Sequence, residues 1–390
     1  MIQFQGMTAE EFLRDYWQKK PLLIKKALPD FVPPIDADEL AGLALEEDVE
    51  SRLVMETPHK KPFWELRHGP FDVHDFSKLP ETHWTLLVQG VDLLVPEVAK
   101  LREHFNFIPQ WRFDDVMISY AATHGGVGPH YDNYDVFLYQ AAGSRRWLLT
   151  TKDCHPENHI NDVPLRLMQR FEVEFDYVLE AGDMLYLPPH VGHHGIALNQ
   201  DCMTYSFGYR SYQGRELFDS FADYLAEEDN REILYRDPNW SKVMGQETIE
   251  PDAWQQAKAV LLNMLADDRH LKRWFSRHVT TLDRQAQQHL PQPLSNSKKN
   301  NVTSFLLKCQ QHTQLRLHAA CRISYYFEHD DMVLMINGCS WDTNGVTHEM
   351  MLSLANARML ETSGLSPWLH TIENQTFLHQ LWLLQWVYFD

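Results

Sequence analysis

The chain has 390 residues, 35 of them Lys or Arg against 54 Asp or Glu, for a formal charge of −19. At roughly 150 residues per domain this length suggests two or three domains, and a chain that is 44% hydrophobic and 12% aromatic is not a disordered one. So acidic a surface repels phosphate, which excludes the simplest nucleic-acid binder, and attracts a cationic partner such as a basic protein.

Thr8-Ala9-Glu10-Glu11 fits a capping box, and Phe12, Leu13, Tyr16 and Trp17 follow at helical spacing until Pro21 ends the helix. Asp38 to Glu46 reads as a second short helix. From about residue 52 to residue 210 the texture changes to short alternating or apolar runs: WTLLVQ (84–89), VMISYA (116–121), DVFLYQ (135–140), RWLLT (146–150), DMLYLP (183–188) and MTYSFGY (203–209). Gly125-Gly126, Gly143-Ser144 and Gly182-Asp183 mark turns, and so many short strands indicate an antiparallel sandwich or barrel. Beyond residue 213 the pattern is helical. GRELFDSFADYLAEEDN (214–230) is amphipathic. The next segment, from Asp252, carries Trp254, Ala257, Val260, Leu261, Met264 and Leu265 on one stripe, a core either within one chain or shared by two. A third helix carries Leu271, Trp274 and Phe275. The polar stretch 287–300, with two prolines, is the best linker candidate. The last 90 residues read helix, hairpin around His329-Asp330-Asp331, then two helices ending in Trp382 and Trp386, an order that suits a winged-helix-like domain.

Cys154, Cys202, Cys309, Cys321 and Cys339 never form a CxxC pair and read as reduced thiols. The first twenty residues lack the apolar core of a signal peptide, and no run approaches the ~18 apolar residues of a membrane span. A soluble, cytoplasmic protein with no membrane contact is expected.

His130-Tyr131-Asp132 reads as the start of a strand that continues through DVFLYQ, and side chains at i and i+2 of a strand share a face, so His130 and Asp132 can hold one metal together. Gly182-Asp183 turns into DMLYLPP and leads to His193 on another strand. Two histidines and one carboxylate form the facial triad of non-haem Fe(II) oxygenases, which leaves sites for a chelating co-substrate and dioxygen. His190, His193 and His194 compete for the third position, since only one of them easily faces the metal. The second HxD, at His329, lies at a hairpin tip where His and Asp are ordinary turn residues. After the Gly143-Ser144 turn, alternation sets Arg145 and Trp147 on one face and Arg146 on the other. A buried guanidinium there is suited to bind a carboxylate bidentately. Tyr131, Tyr134 and Asp135 flank the triad and read either as lining for a substrate arginine or as packing.

GVGPHYDNYDVFLYQAAGSRRW, LEAGDMLYLPPHVGHHGIALN and MTYSFGYR together resemble the JmjC-type, cupin-fold 2-oxoglutarate oxygenases, and more narrowly the bacterial ribosomal oxygenases. The resemblance extends to FLRDYWQKKPLLIKKAL, WTLLVQGV, WRFDDVMIS and ELFDSFADYL, covering about the first 230 residues. It implies an α+β protein in three parts: a double-stranded β-helix (jelly-roll) JmjC domain with N-terminal helices over 1–213, a helical dimerisation segment over 214–286 and a winged-helix-like domain over 301–390. It implies Fe(II) on His130, Asp132 and His193, 2-oxoglutarate held by Arg145 with Ser119 facing it, and dioxygen as second co-substrate. The implied reaction is hydroxylation of an arginine side chain, at Cβ, in a basic ribosomal protein, large-subunit protein sixteen, by a homodimer. This sequence departs from the family pattern in the extra histidines at 190 and 194 and in Thr204, where Asn is expected. The same chemistry on a histidine or another basic protein is the nearer alternative. A non-enzymatic DNA-binding regulator is the farther one, and it fits poorly with four basic against eight acidic residues in 301–390.

Overall fold

The computed structural model describes residues 1–57, 63–228, 233–240, 243, 245, 247–295, 297 and 299–390. It divides into two compact units, one of 1–211, 283–321 and 349–390, the other of 212–282 and 322–348.

The first unit is built on two antiparallel sheets. In chain order its first strands are β1 (Leu22–Ile24), β2 (Ser51–Glu56), β3 (Trp64–His68), β4 (Trp84–Val88), β5 (Phe113–Ala121) and β6 (His130–Tyr131). They are followed by β7 (Asp135–Ala142), β8 (Ser144–Thr150), β9 (Phe175–Glu180), β10 (Met184–Leu187), β11 (Gly192–Ala197) and β12 (Cys202–Tyr209). The eight-stranded sheet runs β1-β10-β7-β12-β5-β4-β2-β3 and the four-stranded sheet β6-β11-β8-β9. The six runs singled out in the sequence all fall on strands, but the strand opened by His130 does not continue through DVFLYQ. β6 ends at Tyr131 in the smaller sheet and β7 begins at Asp135 in the larger one, so Asp132 lies in the short connection between them. Two facing sheets with these long-range antiparallel pairings form the jelly-roll expected from the sequence.

Strand alternation sorts the residues of the larger sheet into two cores. Val116, Ile118, Phe137, Tyr139, Tyr186, Tyr205, Phe207 and Tyr209 face outward and pack under the N-terminal helices with Phe12 and Phe105. Val136, Leu138, Leu185 and Leu187 face inward and meet Trp147, Leu149 and Leu179 of the smaller sheet. The first helix, Ala9–Asp15, begins with the capping box foreseen: Thr8 Oγ1 accepts from Glu11 N at 3.2 Å, and the Glu11 carboxylate accepts from Thr8 N at 2.8 Å. Trp17, just beyond that helix, stacks on Tyr186 and Phe137, and Phe12 from the helix meets Tyr186 edge-on and Phe137 at a tilt, which fixes the helix to the barrel. Three further strands, β13 (Gln314–Leu317), β17 (Met359–Glu361) and β18 (Val387–Phe389), form a small sheet in order β17-β13-β18 beside the helices Val302–Gln311 and Ile372–Leu383. The stretch 287–300 does not hang free in its described part, because Leu294 N donates to Leu383 O at 2.7 Å.

The second unit contains the helices Gly214–Glu228, Pro251–Leu265 and Asp268–Thr280, with the sheet of β14 (Ile323–Glu328), β15 (Asp331–Ile336) and β16 (Cys339–Trp341). Residues 229 and 230, expected to end the first of these helices, lie outside the described ones. The hairpin foreseen inside the winged-helix-like stretch 301–390 thus groups with the preceding helices. Arg322 Nη1 donates to Thr281 O at 2.8 Å, and Gly338 N to Thr280 Oγ1 at 3.3 Å. The contact-defined division therefore cuts across the boundaries read from the sequence. The helix Pro251–Leu265 has no buried residue, and its stripe leaves Trp254 and Leu261 each 50% exposed. Phe218, Phe221, Leu225, Leu261 and Met264 line an apolar groove of ≈ 410 Å³ on this unit.

Candidate metal centre

His130 and Asp132 leave the edge of the smaller sheet on its inner face. The β11–β6 register pairs His193 directly with His130, and alternation along β11 turns His193 inward and His194 outward. The ligand atoms of His130, Asp132 and His193 all lie within 4.8 Å of one another, and no other group of three such residues does so among the described residues. His193 Nε2 is 3.6 Å from Asp132 Oδ2, and the two imidazoles are 4.2 Å apart between centroids.

Backbone carbonyls orient both rings. His130 Nδ1 is 2.9 Å from Gly128 O, and His193 Nδ1 is 3.0 Å from Val191 O. A carbonyl can only accept, so each Nδ1 carries the proton and each Nε2 presents a lone pair to the shared space. Burial and the neighbouring His130 push His193 down to about 4, which keeps it neutral and able to ligate at pH 7. Trp147 lies over Gly195, where a Cβ would meet its ring at 2.7 Å, so only glycine lets this indole close one side of the site beside His193.

The competing histidines go elsewhere. His190 is exposed, has a left-handed φ of 61° and stacks on Tyr131, while its N–H donates to Asp132 O at 2.8 Å. His329 takes a left-handed φ of 55° at the tip of the β14–β15 hairpin.

Arg145 points inward and is 4% exposed, yet its Nε and Nη2 are buried without a hydrogen-bond partner among the described residues. A buried guanidinium without acceptors is costly, so Arg145 is suited to receive an anionic group. Arg146 points outward and pairs with Asp176 at 2.6 Å, both about half exposed. Ser119, on β5, pairs in register with Thr204 of β12, and both are buried. Thr204 Oγ1 donates to Gln140 Oε1 at 3.2 Å, so its hydroxyl is already engaged inside the barrel.

Of the residues flanking the triad, Asp135 does not line the mouth. It is wholly buried on the opposite face of β7, accepting from Tyr186 Oη at 2.6 Å, Gln18 Nε2 at 3.0 Å and Arg112 Nη2 at 3.1 Å. Tyr134 is 43% exposed and keeps company with Asp132, Asp115 and Arg52. Asp115 went unnoticed in the sequence. It lies on the same face of β5 as Ser119, and burial together with repulsion from Asp114 and Asp92 pushes its carboxyl up to about 8. The only signal for it was its even spacing from Ser119 within DDVMIS.

The arrangement can hold a divalent cation on two imidazoles and a carboxylate, next to a carboxylate-binding guanidinium, in a closed barrel. Comparison with known proteins agrees. A JmjC domain is matched over residues 100–217. The Escherichia coli (strain K12) protein named ribosomal protein uL16 3-hydroxylase is 39% identical over 270 residues, 69% of this chain and 70% of that one. Two solved structures of Escherichia coli YcfD, a ribosomal oxygenase, superpose over the full length of both chains. One has a TM-score of 0.84 at 31% identity, and the other, in complex with cobalt and 2-oxoglutarate, a TM-score of 0.81 at 30% identity. Domain match, relative and whole-length superposition converge on one assignment, and the chain belongs to the JmjC-type ribosomal oxygenases.

Proposed function

We propose that the protein hydroxylates an arginine side chain, at Cβ, of ribosomal protein uL16, the large-subunit protein sixteen. As a JmjC oxygenase it is an enzyme that works with Fe(II), 2-oxoglutarate and dioxygen. The observation that carries the proposal is the orphaned guanidinium of Arg145 beside the triad: a buried cation waiting for a carboxylate fits a dicarboxylic co-substrate.

In this reading His130, Asp132 and His193 hold the iron and Arg145 pairs with the far carboxylate of 2-oxoglutarate. Ser119 offers a hydroxyl on the same interior face. The iron, with its co-substrate, supplies the oxidising power that puts one oxygen atom into a C–H bond while 2-oxoglutarate becomes succinate and carbon dioxide. The chain's own work is to bind, orient and keep water out. Nδ1 protonation fixes the two imidazoles, and Trp147 and the apolar inner core close the barrel behind them. Asp115 and Tyr134 supply a carboxyl, ionised by an arriving guanidinium, and an aromatic face next to the triad, which is what a guanidinium needs to dock.

Further parts of the same proposal concern assembly. The uncovered stripe around Trp254 and Leu261 serves as a dimer contact in the segment 214–286, and 301–390 stays the winged-helix-like part, its hairpin leaning on that segment. Titration of 2-oxoglutarate into the anaerobic Fe(II) protein tests the site. A charge-transfer band that saturates with one equivalent is expected, and its absence with intact, iron-loaded protein contradicts the reading.

A further inference from the structure

Asp115 is held in an unsymmetrical way. Gln89 Nε2 donates to its Oδ2 at 2.6 Å and Gly90 N donates to the same atom at 3.0 Å. Its other oxygen, Oδ1, lies beside Gly208 of β12, where an added Cβ would sit at 3.2 Å and press on it. One oxygen is thus held by two donors, while Oδ1, packed beside Gly208, accepts no hydrogen bond from the described residues. Gln89 in turn accepts from Arg52 Nη2 through Oε1 at 3.0 Å, and the same Nη2 touches Met117 Sδ at 3.8 Å. An amide has one acceptor end and one donor end, so a guanidinium on Oε1 leaves Nε2 as the end that meets Asp115.

This chain of three residues carries a further consequence. Arg52 is a cation on β2, the neighbour of β4, separated from the Asp115 carboxyl by the Gln89 side chain. That carboxyl, pushed up to about 8 by burial, ionises when a guanidinium reaches it. Were Arg52 to reach Asp115, the two would neutralise each other and nothing would remain for an incoming cation. Gln89 stands between them, engages both, and keeps them apart. We propose that Gln89, with its amide locked by Arg52, is a positioning residue that holds the guanidinium off Asp115 and presents Asp115 Oδ1 to the cationic side chain of the substrate. The inference rests on the reading of an arginine substrate given above, and deepens it by naming what sets the acceptor's geometry.

The test measures the Kd of intact uL16 for the anaerobic Fe(II)–2-oxoglutarate enzyme, with turnover measured separately in air. Asp115→Asn is expected to weaken uL16 binding about 10- to 100-fold, the worth of one hydrogen bond between charged groups. Gln89→Ala, which lets Arg52 fall onto Asp115, should weaken it about tenfold or more. Adding Arg52→Met to Gln89→Ala should regain most of that loss, because the quenching cation is gone. A purely structural role for Gln89 gives the opposite sign, with the double variant no better than the single one. Turnover at saturating uL16 should stay within about twofold of wild type in Gln89→Ala, since the loss is in binding. The 2-oxoglutarate charge-transfer titration should be unchanged in all variants. Should Gln89→Ala fail to fold, Gln89→Met keeps the bulk and removes the amide, and wild-type affinity in it overturns the proposal. Weak binding in Asp115→Asn with wild-type binding in Gln89→Ala or Gln89→Met sinks the positioning role and leaves the arginine reading standing. Wild-type binding and hydroxylation in Asp115→Asn would sink the acceptor itself, and with it the inference.

Discussion

His130, Asp132 and His193 each contribute one ligand atom to a shared space, and no other group of three such residues comes together among the described residues, so none of them has a stand-in. His130→Ala, Asp132→Ala and His193→Ala are each expected to abolish turnover and to lose bound Fe(II) by metal analysis, whereas His190→Ala and His329→Ala keep both. An inactive His190→Ala with an active His193→Ala would move the third ligand. Arg145 separates co-substrate binding from metal binding. A bidentate guanidinium–carboxylate pair in a dry site is worth enough that Arg145→Met should cost about 10- to 1000-fold in 2-oxoglutarate affinity. Arg145→Lys, which keeps the charge without the planar fork, should lose less. Arg146→Met breaks only a half-exposed pair with Asp176 and should leave that affinity nearly unchanged. A large loss in Arg146→Met instead, read from the same titration, would assign the anchor to the wrong arginine.

At the scale of strands and helices, period-two alternation made much of this legible. It puts His130 with Asp132 and separates Arg145 from Arg146 before any contact is known. It does not choose among His190, His193 and His194, because that choice depends on the β11–β6 register, a pairing between segments about 60 residues apart. Asp115 was hidden for the same reason: its partners Gln89 and Gly90 arrive through the pairing of β4 with β5. For Asp135 the sequence leaves lining and packing open, and the structure decides for packing: the residue faces the N-terminal helices, where Gln18, Arg112 and Tyr186 converge on it. Its work is to pin those elements to the barrel. Asp135→Ala should therefore cost about 3 kcal/mol in urea unfolding, because it leaves Arg112 and Tyr186 buried without their acceptor. It should change uL16 affinity little in the protein that remains folded, and a selective loss of uL16 binding at full stability would return Asp135 to the substrate site.

For the whole molecule, the sequence marked an oxygenase barrel, a helical segment and a C-terminal part. What it could not show was that the β14–β16 hairpin packs on the helix Asp268–Thr280, since the backbone and hydroxyl bonds that join them leave no periodic trace. The apolar stripe of Pro251–Leu265 has the spacing of a core within one chain or shared by two, and in the single chain it is only partly covered: Met264 packs on the Phe221 cluster while Trp254 and Leu261 are half exposed beside an apolar groove. Large exposed apolar surfaces of this kind are usually buried by association. If the stripe is the proposed dimer contact, Leu261→Glu shifts the protein to monomer or aggregate, and a wild-type monomer by light scattering at micromolar concentration would contradict that proposal. No helix among the described residues is long and apolar enough to cross a membrane.

The most direct test of the central claim is to incubate the protein with Fe(II), 2-oxoglutarate and intact uL16 in air, then fragment uL16 in a mass spectrometer. A gain of one oxygen on a single arginine is expected, dependent on both iron and 2-oxoglutarate and lost with Arg145→Met. Unmodified uL16 in the presence of active, iron-loaded enzyme, or an oxygen placed on a histidine instead, would contradict it.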